Sequence, residues 1–272
     1  MRFHIPFDPN MHRDSVKRAR GTACYGALAA HFGTDSPKLL ELRVDDREPY
    51  DSDGDKSISN KYLRWRQGKA LPHVASSIPH ALARSGGAVR LDFWRDLPLW
   101  DLLALEPPTI PWIHRLLEGR GRNVRKILFL DGEPERYGFN HSTPDRERLL
   151  AVRNLRSLDA FVALLALARK GEQLEDAPKH FLPSACAFDI LPYVLRSHAP
   201  LRYRWEGLFA CLERIFWNRV YVNGAYYVFP IEWVHDGLHR LQLDPAARLP
   251  LKSGRRKREK PCVDEDSDHQ QA

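Results

Sequence analysis

The sequence is poor in sulfur and has no long apolar run. Four cysteines and two methionines are spread over 272 residues. Cys24, Cys186, Cys211 and Cys262 form no CxxC pair and no paired Cys/His spacing. That excludes a disulfide framework and a structural zinc site, and it predicts buried free thiols. The longest apolar run, LDAFVALLALA (158–168), is broken by Asp159 and is too short to span a bilayer, so it predicts a buried helix. The opening MRFHIPFDPN lacks the apolar centre of a secretory signal, which predicts a cytoplasmic protein with no membrane partner. The GxSxG elbow, the GxxxxGK phosphate loop and a GxGxxG after a strand are all missing, so no catalytic residue is assigned and no cofactor is called for.

What the chain does have is positive charge. The formal net charge is +7 with a pI near 9.3. The C-terminal tail does not supply it. LKSGRRKREK (251–260) carries six Lys/Arg and one Glu, and the next twelve residues carry four acids, so the two blocks nearly cancel. The excess sits in the body of the chain, where it suits a polyanionic partner.

Two connectors and the tail divide the sequence. VDDREPYDSDGDK (44–56) holds six acids, LEPPTIP (105–111) holds three prolines, and the tail begins near residue 249. The expected organisation is a helical domain over 1–104, a second helical domain with a β-hairpin over 105–248, and a disordered charged tail over 249–272. The first helix should stop at Gly33, and Ser157 should start another. Thr143, with Pro144 behind it, is expected to cap a third, and YRWEGLFACLERIFW (203–217) to bury one stripe. KILFLDG (126–132) and VRLDFW (89–94) are short strand candidates. In RVYVNGAYYVF (219–229), Asn223-Gly224 supplies the tight turn of a hairpin. The fold class expected is mainly α, a helical bundle with a helix-turn-helix-like element, one C-terminal hairpin and room for a small sheet.

The most informative stretch is SISNKYLRWRQGKALP (57–72), with four cations, no acid and two large aromatics. Ser57 is placed to cap a helix; Ile58, Tyr62 and Trp65 form one apolar face; Gly68 can end the helix. Ser59, Asn60, Lys61 and Arg64 lie on the other face, with Arg66 and Lys69 at its C-terminal end. Asn and Arg can bond base edges in a major groove while Ser and Lys hold phosphates. Tyr62, Trp65, Gly68 and Pro72 resemble the recognition helix and following turn of lambda-repressor/Cro-like helix-turn-helix domains. The resemblance implies that Ser57, Ser59, Asn60, Lys61 and Arg64 face DNA. It spans about 16 residues. Arg66 stands where that family commonly has a glutamate, and the acidic segment 44–56 occupies the place of the preceding helix and turn. GALAAHFGTDSPKLLELR (26–43) offers a second helix–turn–helix pattern, with Ser36-Pro37 opening a helix that bears Lys38 and Arg43.

Another basic cluster, RLLEGRGRNVRK (115–126), reads as a loop whose Arg120, Arg122 and Arg125 can follow a phosphate backbone. DSDGD (51–55) lacks the glycine and twelfth-position glutamate of a calcium loop. HDGLH (235–239) would set His235 and His239 on one helix face, with Asp236 where a zinc protease has its glutamate; no third ligand is evident, and no metal is assigned. FLDGEPE (129–135) brings three acids after a strand candidate. The leading expectation is a non-enzymatic nucleic-acid-binding protein, with DNA ranked before RNA, acting as a regulator or an accessory subunit of a DNA-acting complex. A protein- or RNA-binding subunit of a larger assembly, including self-association, comes second. A metal-dependent enzyme using His235/His239 comes third.

Overall fold

The computed structural model describes residues 7–46, 60–129, 143–217, 221–222, 225–247, 249 and 255–257. The chain is mainly α-helical. It starts with α1 (Pro9–Phe32), capped by Asp8 and ended by Gly33 in the left-handed region at φ 62°. Then come α2 (Pro37–Asp45), α3 (Lys61–Arg66), α4 (Ser77–Arg84), α5 (Leu91–Arg95), α6 (Leu99–Leu102), α7 (Ile110–Glu118) and α8 (Arg122–Leu128). The second half holds α9 (Arg146–Asn154), α10 (Leu158–Gln173), α11 (Ala177–Ser197), α12 (Ala199–Arg202) and α13 (Trp205–Leu212). A π-turn over Glu213–Trp217, the hairpin β1 (Tyr221–Val222) and β2 (Ala225–Val228), and α14 (Ile231–Leu243) complete the body. Arg255–Lys257, as β3, pairs antiparallel with β2.

The larger core forms around α10. Its residues from Ala160 to Leu165 are wholly buried, as the apolar run predicts. Ser157 starts it by accepting the Ala160 N–H at 3.2 Å. α11 lies along α10 at backbone distance, because a Cβ on Gly171 would stand 2.5 Å from the His180 nitrogen. Pro183 inside α11 removes a helical donor, and the Ser184 hydroxyl turns back to the His180 carbonyl at 2.7 Å. His180, fully buried, spans the Ala168 and Phe216 carbonyls at 3.0 and 3.1 Å and so ties α10, α11 and the π-turn together. Arg169, also fully buried, pairs with Glu172 at 2.5 Å and donates to the Ala104 and Leu105 carbonyls, fixing the proline-rich connector against α10.

A smaller core lies under α3. Cys24, Tyr25 and Leu28 of α1, Leu40 and Val44 of α2, Tyr62 and Trp65 of α3, and Ile78, Ala81 and Leu91 make it. Helix α1 serves both cores, since its Ala19 and Ala23 belong to the larger one. That larger core also takes Leu97–Leu103 from before residue 104 and most of its mass from beyond it.

Several local expectations differ from the structure. VRLDFW and KILFLDG are not strands over their described residues, which run through α5 and α8; each apolar run is too short for periodicity to distinguish the two states. α9 is capped by Asp145, whose carboxylate accepts the Arg148 N–H at 2.8 Å, and not by Thr143. The GRGRN segment is a tight joint between α7 and α8. Asn223-Gly224, FLDGEPE beyond Phe129, and DSDGD lie outside the described residues, though the strands flanking Asn223-Gly224 do pair antiparallel. Within the tail, Leu249 is buried and donates its N–H to the Tyr193 hydroxyl at 2.8 Å. Among the described residues no helix is long and apolar enough to cross a membrane. Cys24, Cys186 and Cys211 are free and buried, and burial pushes their thiols up to about 12, 11 and 12.

Gly68 and Gly33 separate two glycine effects. Both adopt positive φ, but a Cβ on Gly68 would stand 2.4 Å from the Arg18 Cα, while nothing lies within 4 Å of one on Gly33. Gly33→Ala is expected to cost about 1 kcal/mol from conformation alone. Gly68→Ala should cost about 2–4 kcal/mol, since backbone must also move. Urea unfolding of the two variants checks the difference, and equal losses would remove the close crossing from the account.

Candidate nucleic-acid interface

Helix α3 has only six residues, preceded by Asn60 in the left-handed region at φ 55°. Ser57 and Ser59 lie outside the described residues, and the described helix begins at Lys61. Tyr62 and Trp65 are buried, 1% and 3% exposed, with their rings edge to face at 5.1 Å. The Tyr62 hydroxyl donates to Asp45 at 3.0 Å; burial, and then the Asp45 charge, raise its pKa far above the usual phenol value. Gly68 ends the segment at φ 66° and rests on α1. Gly21 of α1 completes the contact, because a Cβ there would stand 2.9 Å from the Ala70 carbonyl oxygen.

This seat sorts the cations into two groups. Lys61 is drawn to Asp45 at 2.6 Å and lies over the Tyr62 ring at 4.7 Å. Asp45 also meets His80 at 3.6 Å. Arg66 reaches Asp35 at 2.7 Å and donates to the Tyr203 hydroxyl at 3.3 Å, while that hydroxyl donates to the second Asp35 oxygen at 2.6 Å. Arg66 therefore clasps the turn after α1 to the segment before α13. Burial first, then the bond to Asp35, raise the Tyr203 pKa.

Arg64 and Lys69 form the second group. Both are exposed and make no side-chain hydrogen bond or ion pair with any described residue. The segment that carries them crosses α1 at Gly68, against the Arg18 Cα, and Lys17 and Arg18 of α1 are exposed and equally without a side-chain partner among the described residues. Asp14, one turn earlier on α1, is the nearby exposed acid along that helix. Lys17 and Arg18 are absent from the expectations drawn from sequence. The VKRAR run gives them, but only the meeting of Gly21 with Gly68 brings their helix to the segment that carries Arg64 and Lys69.

The second basic cluster is built differently. Arg120 is mostly covered; it donates to the Leu116 carbonyl at 3.1 Å and faces Asp159 at 3.4 Å. Burial lowers its pKa, and Asp159 opposes that effect. The same carboxylate accepts the Gly121 N–H at 3.2 Å. Arg125 is half-buried, with its Nε enclosed and unbonded, and Arg122 is exposed. These residues flank Val124 of the larger core and are not part of the α1–α3 seat. His235 and His239 lie on the exposed side of α14, with the His235 ring 4.7 Å from Trp205. Among the described residues, no three His, Cys, Asp or Glu are placed to hold a metal ion.

No protein-family model, curated protein or solved structure matches this chain.

The two groups of cations should respond differently to truncation. Arg66→Met removes a clasp between distant segments and is expected to lower stability by about 1 kcal/mol. Arg64→Met removes an exposed charge without a partner among the described residues and should stay within about 0.5 kcal/mol of the wild type. Chemical denaturation of both variants reads the contrast.

Proposed function

We propose that this protein binds nucleic acid, DNA in the first instance, through a cationic seam formed by Lys17, Arg18, Arg64 and Lys69. It would act in the cytoplasm as a regulator or an accessory subunit of a DNA-acting complex. One observation carries the reading: four exposed cations without carboxylate partners among the described residues stand on the two segments that cross at Gly68, α1 and α3 with its following turn, although Lys61 and Arg66 of the same segment are neutralised. A surface that only needed solubility would gain nothing from leaving these four together. A phosphate backbone supplies charges of opposite sign at close spacing along its length.

Seam contacts of this kind position a duplex more than they read it. Arg64 is the side chain best suited to a base edge, since a guanidinium can bond the O6 and N7 of guanine together. Asn60, exposed at the start of α3, is the second candidate for readout. Lys61 and Arg66 hold the helix in place and contribute to binding indirectly.

The test is a fluorescence titration of a labelled duplex at several salt concentrations. Four phosphate contacts give a slope of log affinity against log salt of about −3 to −4, and each of Lys17→Ala, Arg18→Ala and Lys69→Ala should reduce its size by about 1. Unchanged affinity and slope in all three variants would remove the seam from the interface. Tighter binding of RNA or single strands in the same titration would redirect the assignment of the partner.

A further inference from the structure

A cavity of about 290 Å³ opens between the first half of α1 and the chain that leaves α6. His12 of α1, Trp100 of α6 and Leu103 just after it make the buried part of its wall, and Val16 is half-buried beside them. Two exposed residues of opposite charge, Arg13 and Glu106, complete the lining. Neither side chain makes a hydrogen bond or ion pair with the other or with any described residue.

Both charges stand next to clamped backbone. His12 donates its Nε2 proton to the Leu103 carbonyl at 2.7 Å, tying α1 to the end of α6, and Arg13 follows directly. Across the opening, Arg169 of α10 donates to the Ala104 and Leu105 carbonyls at 2.6 and 3.1 Å. Gln173 donates to the Pro107 carbonyl at 2.9 Å, so Glu106 lies between two fixed points. The Trp100 ring is oriented in turn by its Nε1 bond to the Trp94 carbonyl at 2.8 Å. Two opposite charges thus share one preorganised cavity without neutralising each other. A purely anionic ligand would satisfy Arg13 and oppose Glu106, and a purely cationic one would do the reverse.

We infer that the cavity binds one small zwitterion, a free α-amino acid with an apolar side chain. The size suits a cavity at the small end of the usual ligand range. The carboxylate meets the Arg13 guanidinium, the ammonium meets Glu106, and the side chain runs inward along Val16, Trp100 and Leu103. Displacing water from apolar surface drives binding, and the two charges supply the preference for a zwitterion over an acid or an amine. The clamped backbone lowers the ordering cost.

Equilibrium dialysis of the full chain with radiolabelled L-phenylalanine tests this. Saturable uptake of one phenylalanine per chain is expected. Phenethylamine, which lacks the carboxylate, and 3-phenylpropionate, which lacks the ammonium, should each bind about tenfold more weakly. Arg13→Met should erase the preference over phenethylamine, and Glu106→Gln the preference over 3-phenylpropionate. Ala104→Phe, which fills the cavity from its exposed side, should abolish uptake. Arg64→Ala and Lys69→Ala should leave uptake unchanged, which keeps this result distinct from any outcome at the seam. No saturable uptake at millimolar phenylalanine, or equal binding of the three compounds by the wild type, overturns the proposal even if a variant fails to fold.

Discussion

Backbone meets backbone where α1 passes under the turn after α3, and the N-terminal half depends on that contact. Gly68 lies against the Cα of Arg18, and Gly21 answers from the other side against Gly68 and Ala70. No residue with a Cβ fits either position without displacing main chain. The approach brings Tyr62 and Trp65 down into the pocket bounded by Leu40, Val44 and Leu28, where their burial outweighs the weak intrinsic stability of a six-residue helix. Helix α3 exists because of its seat.

From that seat follows the distribution of charge. Asp45, at the end of α2, collects Lys61, the Tyr62 hydroxyl and His80. Asp35, in the turn after α1, collects Arg66 and Tyr203. Each carboxylate is held where the chain reverses or ends, so it draws cations inward at the edges of α3. Partly exposed pairs of this kind add little to stability, but they fix orientation. Arg64 pairs with neither acid and Lys69 lies beyond the glycine, so neither is drawn in. A net charge of +7 says nothing about where the excess resides. The two aspartates decide that.

What the sequence made legible was local. Gly33 and Gly68 were readable as helix stops because the left-handed region belongs almost solely to glycine. Ser157 was readable as a cap, and Tyr62 and Trp65 as a buried face, because spacing alone sets them on one side of a helix. The short runs VRLDFW and KILFLDG were misread because four or five apolar residues look alike in a buried strand and a buried helix, and tertiary packing decides between them. Thr143 and Asp145 both suit a cap. The carboxylate accepts the amide at α9, two residues nearer the apolar periodicity. The pairing of Arg66 with Asp35 and Tyr203, and the approach of Gly68 to Arg18 and Gly21, join segments 31 to 168 residues apart or meet across a helix crossing. No local pattern encodes such contacts.

The two cores are not independent, since α1 runs through both as a rod of about 36 Å. Ala19 and Ala23 anchor it in the core around α10, while Cys24, Tyr25 and Leu28 anchor it under α3. The Asp35–Arg66–Tyr203 clasp adds a second tie, because Tyr203 comes from the joint between α12 and α13 and packs its ring 5.3 Å from that of Tyr25. Lys17 and Arg18 therefore stand on a helix fixed at both sides, and Arg64 on one held by two buried rings and two aspartates. Cations on such a frame lose only side-chain freedom when they meet an anion. The backbone positions are set beforehand, so the entropy cost of ordering a loop does not arise. A seam built on rigid backbone holds its spacing in the absence of a partner, and a fixed spacing is what distinguishes a regular phosphate backbone from scattered anions.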